Sequence, residues 1–221
     1  MIDKLKDLND LIHGGINKNW IYKDRLNDDL AGDYLQKIAF SISDYNKELS
    51  IKVKEPKDIV FMIMLANWIK DTIDLLYKTY KKGIVEGFQY KSLSNEKAYL
   101  EAIRSFVAAH PMNTDRHKKF SLDGRFICND IMMDDKYLMP FMKEKDIFTI
   151  TINGLIEGKG EYDYLLKVYS LDDNMKYFKY ICCSIDDISR CISSYIEKLY
   201  AFSKYLGKLK LKDYKEGITN E

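Results

Sequence analysis

The hydrophobic period of this chain changes twice, and that switch limits the folds open to it. Up to about residue 110, apolar residues recur every three or four positions, the spacing of one face of a helix. Between 147 and 183 they alternate or run in short blocks of strand length, and from 185 the helical spacing returns. A chain patterned in this way is built mainly from helices, with a small β element placed before the last of them.

Leu5, Leu8 and Ile12 predict a short amphipathic helix over 3–12, stopped by His13-Gly14-Gly15. Leu26, Leu30, Tyr34, Ile38 and Ile42, at four-residue steps, predict a second helix over 22–47. The third, over 57–81, opens with the apolar run IVFMIMLA, which calls for full burial, and turns amphipathic in its second half. The run is eight residues long, far short of the ~20 that a membrane span requires. A fourth helix is expected over 95–109, capped by Ser94 and carrying Tyr99, Ile103, Phe106 and Val107 on one stripe. His110-Pro111 ends it, because the residue before a proline is pushed out of the α region.

IFTITIN (147–153), YDYLLKVYS (162–170) and MKYFKYICC (175–183) read as three strands of an antiparallel meander. Gly154, Gly158 and Gly160 would form its first loop, and residues 171–174 its second turn. The last helix is expected over 185–206, with Ser184 and Asp187 as a capping box and a fraying tail after Gly207. The expected fold class is therefore mainly α (α+β): a helical bundle with a small three-stranded antiparallel β-meander before the last helix. Residues 1–221 would form a single domain. Its bundle would comprise 1–110 and 185–207, with 111–146 irregular and 147–183 a β-meander insertion.

Charge and cysteine usage narrow the function classes. A net charge of +1 argues against a chain coated in nucleic acid or held on an anionic membrane. The four cysteines show no C-x-x-C spacing, and adjacent Cys182 and Cys183 make a poor disulfide pair. Reduced thiols fit a cytoplasmic protein, and the first ten residues, MIDKLKDLND, lack the apolar core of a signal peptide.

Three motifs have ordinary readings. GLIEGKGE (154–161) misses the phosphate-loop pattern by one residue and by the absence of Ser or Thr after the lysine, so it reads as a hairpin. MKYFKY (175–180) reads as a strand with aromatics inward and lysines outward. Asp130, Asp134 and Asp135 lack a histidine or regular carboxylate spacing, so no metal and no cofactor are expected.

The least ordinary segment is RSFVAAHPMNTDRHKKFSLDGR, residues 104–125. It holds three of the chain's five arginines and two of its three histidines, in a chain whose other cations are almost all lysine. Arginine supplies a planar, permanently charged fork suited to phosphate, and histidine a group that titrates near neutral pH. On a regular helix Arg104 and His110 would lie about 120° apart, but Pro111 lets the imidazole leave the helix end. Arg104, set away from part of the apolar stripe, should be partly exposed. The plainer reading is a helix-end histidine beside a surface arginine.

Arg104-x5-His110, at the end of a helix in a helical bundle and followed by Pro111, resembles the R-x(4–6)-H signature of the HEPN superfamily, many of whose members are metal-independent RNases. The resemblance covers about residues 22–112, with the last helix as a further bundle member. Ser105 stands where nuclease members often carry Asn, Asp or His.

The resemblance implies an endoribonuclease of toxin or defence type with Arg104 and His110 as catalytic residues. RNA would be the partner, and a homodimer would place two motifs across one cleft. By residue type, Arg116 and His117 are candidates for further phosphate contacts, and Asp71 is a candidate to orient Arg104 or a plain surface carboxylate. Two other readings stand beside it: a non-catalytic HEPN-like module that binds RNA, a nucleotide or a protein, and a purely structural helical dimerisation protein.

Overall fold

A computed structural model of the protein describes residues 25–52, 54–80, 85–107, 120, 126–134, 136, 142–170 and 178–218. Among them are four α-helices: α1 (Arg25–Ser50), α2 (Pro56–Lys78), α3 (Ser94–Val107) and α4 (Ile185–Ile218). Five strands accompany them: β1 (Phe126–Met132), β2 (Ile147–Thr151), β3 (Gly154–Glu157), β4 (Tyr164–Ser170) and β5 (Phe178–Cys183). The helix expected over 3–12 and the turn expected over 171–174 lie outside the described residues.

The described residues fall into two compact units. One holds those up to Leu49, Trp68–Ser92 and those from Ile192 onward; the other holds Ser50–Asn67 and Leu93–Cys191. Two of the boundaries fall within α2 and α4.

The first unit is helical. Its α1 segment buries Ala31, Leu35, Ile38, Ile42 and Tyr45, at the three- and four-residue steps of a single helix face. Ile69, Ile73 and Leu76 of α2 and Tyr195, Leu199 and Phe202 of α4 are likewise buried. Phe202 packs edge-on to Tyr80 and to Phe88, with ring centroids 5.0 and 5.1 Å apart. Tyr77 donates from its hydroxyl to the Lys198 carbonyl (3.1 Å), and burial raises its phenol well above the usual range.

The second unit corrects the expected fold class. Its sheet has five strands in the order β1-β4-β5-β2-β3 and is mixed, because β2 runs parallel to β5 while all other pairs are antiparallel. It is not a three-stranded antiparallel meander. The pairing of the second and third expected strands holds, with Leu166 opposite Ile181. The first expected strand lies on the far side of β5, with Ile147 opposite Tyr180.

Both additional strands come from segments read as irregular or as loop. FICNDIM forms β1, within the stretch expected to be irregular. GLIE forms β3, joined to β2 by the two-residue turn at Ile152 and Asn153. Gly154 leaves that turn at φ 149° and Gly158 follows β3 at φ 95°, conformations that side chains with a Cβ rarely adopt. Gly160 N–H donates to Thr149 Oγ1 (2.8 Å), which donates to the Gly158 carbonyl (2.9 Å); a Cβ at Gly160 would meet that oxygen at 2.9 Å. The glycine-rich segment therefore closes on a threonine of its own hairpin.

Burial explains the order. Tyr164, Leu165 and Leu166 are consecutive and all fully buried, as are Ile181, Cys182 and Cys183, so β4 and β5 are covered on both faces. One face gathers Ile147, Leu165, Tyr180 and Cys182, against which Met132, Met142 and Tyr162 pack.

Three local expectations also change. Phe61, within the run expected to be wholly buried, is 41% exposed. Helix α4 continues through Gly207 to Ile218 where a fraying tail was expected. The capping box at its start is assembled differently. Ser184 Oγ accepts from Asp186 N–H (3.1 Å), while Asp163 from the β3–β4 connection accepts from Ile185 N–H (2.7 Å). Asp187 instead accepts from the Arg190 guanidinium.

Candidate functional site

Helix α3 carries the first candidate residue, and its sequence explains its placement. Leu93 is buried just ahead of it, and Glu96 lies in the first turn, where an acidic group favours the helix dipole. Tyr99, Leu100, Ala102, Ile103, Ser105 and Phe106 are buried. The helix packs against β1, the strand hidden in the 111–146 segment.

Two side-chain hydrogen bonds fix α3. Tyr99 donates from its hydroxyl to the Ser184 carbonyl (3.4 Å), tying α3 to the start of α4. Asn67 Nδ2 donates to the Leu100 carbonyl (3.3 Å) and to the Ile63 carbonyl (3.0 Å), tying α3 to α2. Asn67 is fully buried, so these bonds stand in place of water for its NH2 group, while its Oδ1 is buried without a hydrogen-bond partner among the described residues. Sequence reasoning passed over Asn67. The signal was there: an amide directly following the apolar run of α2.

Arg104 occupies the last turn of α3, where a cation favours the helix dipole. It is half-buried, and its Nε lies out of solvent. Ser105 beside it is 1% exposed and belongs to the packed face of α3. His110, Arg116 and His117 lie outside the described residues, so the geometry of the site is that of Arg104 and its supports.

The remaining candidates have local partners. Asp71 accepts from Lys70 Nζ at 2.5 Å. Lys70 is 3% exposed, a buried lysine in the half of α2 that the sequence pattern left amphipathic. Asp134 accepts from Lys136 N–H (3.0 Å) and forms an ion pair with Lys136 Nζ (3.5 Å), closing a surface turn. Among the described residues, no three His, Cys, Asp or Glu side chains are grouped as they would be to hold a metal ion.

Burial sets the electrostatics around the start of α4. It raises the Asp187 carboxyl above the usual range, and Arg190 opposes it. It also raises the Cys183 and Cys191 thiols, with Glu96 and Asp187 adding to the effect on Cys191. On β1, burial pushes Cys128 up to about 11. None of these thiols carries the depressed pKa of a nucleophile.

No protein-family model, curated protein or solved structure matches this chain. The residues themselves carry the functional reading.

Proposed function

We propose that this protein is a HEPN-like, metal-independent RNA endonuclease in which Arg104 and His110 form the working pair. The observation that carries the reading is the place of Arg104: the last turn of a helix, half-buried, three residues before the helix's described end at Val107. His110 and Pro111 follow at the spacing of the R-x(4–6)-H signature. An arginine whose Nε is out of solvent in the last turn of a helix has less rotamer freedom left to lose on binding phosphate.

In this reading His110 acts as general base or acid on the ribose 2′-hydroxyl and the leaving 5′-oxygen. Arg104 binds the scissile phosphate and stabilises the charge that develops on its oxygens. The product is a 2′,3′-cyclic phosphate. Arg116 and His117 add phosphate contacts, and a second copy supplies the second histidine. A toxin or defence role would follow from such an activity.

Expression in a growing host tests the proposal. The wild type should slow growth, and Arg104→Ala or His110→Ala should restore it at equal levels of folded protein. Growth unaffected by the wild type, or slowed equally by both variants, would count against it. One observation favours a second reading, a non-catalytic module of the same type. Ser105, at the position where nuclease members often carry a larger polar group, is buried in the core. In that case His110→Ala would weaken RNA or partner binding, with no turnover to lose.

A further inference from the structure

The outer face of α1 carries the most exposed large apolar side chain among the described residues, Phe40, at 67%. Nothing in the helix's own packing accounts for it, because the buried face of α1 runs through Leu35, Ile38 and Ile42. The charges around Phe40 are ordered. Asp33 lies seven residues before it and Lys47 seven after; Lys37 lies three before and Asp44 four after. Asp33, Lys37 and Lys47 are exposed and Asp44 is half-buried.

On an α-helix, seven residues return to within about 20° of the same azimuth, so Asp33, Phe40 and Lys47 form one stripe. Lys37 and Asp44 lie about 60° and 40° from Phe40 on the same side. Read along the helix the order is acid, base, Phe, acid, base. Reversed, it is base, acid, Phe, base, acid. The face is therefore its own electrostatic complement when a copy of itself is laid against it antiparallel.

We infer that a second copy of this chain docks on this face, α1 against α1, about a two-fold axis through Phe40. The two Phe40 rings meet at the axis. Asp33 then faces Lys47 of the other copy, about 10 Å along the helix from Phe40, and Lys37 faces Asp44 of the other copy, about 5 Å along it. Each pair occurs twice by symmetry. Within one chain Lys47 is already salt-bridged to Asp44 (2.8 Å), with the Lys47 side chain exposed and that of Asp44 half-buried, so docking extends that pair into a four-residue network on each side. The apolar centre extends beyond Phe40. Lys37 Nζ lies 3.9 Å from the centroid of the Trp68 ring, and Trp68 is itself 38% exposed. This inference rests on α1 and Trp68 and is independent of the nuclease reading.

Sedimentation equilibrium of the full chain tests it. The wild type should be a dimer at micromolar concentrations. Phe40→Glu, which places two carboxylates on the axis, should weaken it about a hundredfold. Lys47→Asp alone should weaken it about tenfold, since each dimer contains the repulsion twice. Asp33→Lys combined with Lys47→Asp should recover part of the lost affinity, because the reversed pairs again match although the Lys47–Asp44 bridge is gone. These side chains are exposed, so all variants should melt within a few degrees of the wild type. A wild type still monomeric near 1 mM, a dimer indifferent to Phe40→Glu, or a double variant no tighter than Lys47→Asp would overturn the assignment.

Discussion

The helical unit and the sheet unit bury apolar side chains by different rules. In α1, buried positions 31, 35, 38, 42 and 45 face one way, while Leu30 and Phe40 remain outside. In β4, three consecutive residues from Tyr164 to Leu166 are buried together. A helix has one inward stripe, whereas a central strand covered on both faces has no outward side. Sequence periodicity identifies the first kind of burial directly. It detects the second only as an apolar run, without the order of the strands.

The largest test of this contrast is a charge at the centre of the sheet. Leu166→Asp should cost about 4 kcal/mol or more, measured by urea unfolding, because it places a carboxylate at a fully buried position. A loss under about 1 kcal/mol would show that β4 is not covered on both faces. Ile38→Ala on the inward stripe of α1 should cost about 2–4 kcal/mol, whereas Phe40→Ser, two residues on, should change the stability of the subunit by no more than about 0.5 kcal/mol. Equal effects would erase the distinction between the two sides of α1.

Asp163→Ala should cost about 1–2 kcal/mol, since it removes the acceptor for the first turn of α4. Asp187→Asn should act in the opposite direction. The folded carboxyl has a raised pKa, so the folded chain binds a proton more tightly than the unfolded one. The cost of ionising Asp187 appears as pH rises through the ordinary carboxylate range and is complete above the folded value. The amide should therefore raise the melting temperature slightly at pH 7 and lose that advantage near pH 3. The smallest effect is expected at the sheet edge. Ile156→Thr on β3, where Ile156 is 59% exposed, should shift stability by no more than about 0.5 kcal/mol.

The helices were legible because their cores repeat at one period, and their ends shifted by up to three residues except in α4, which runs twelve residues past its expected end. The strands were only partly so. FICNDIM was missed because its alternation breaks at Asn129 and Asp130, where the pairing with β4 slips between Cys128 and Asp130. The bulge lets a strand carry a pattern that a regular ladder would not. GLIE was hidden by its glycines, which read as a loop although Gly154 only needs to leave a two-residue turn. The parallel pairing of β2 with β5 leaves no local trace, since it joins residues more than thirty apart. Buried polar residues were also illegible. Lys70 follows the charge pattern of an exposed face yet is buried beside Asp71, and Asn67 draws its role from a carbonyl on another helix. Of the candidate site, the sequence placed Arg104 on a helix end. His110, Arg116 and His117 rest on spacing and residue type.

The most direct test of the functional account is to incubate the purified wild type and His110→Ala with total RNA in EDTA and to analyse the cut ends. The account predicts cleavage by the wild type alone, leaving 2′,3′-cyclic phosphates. Intact RNA with the wild type, or equal cleavage by His110→Ala, would contradict it.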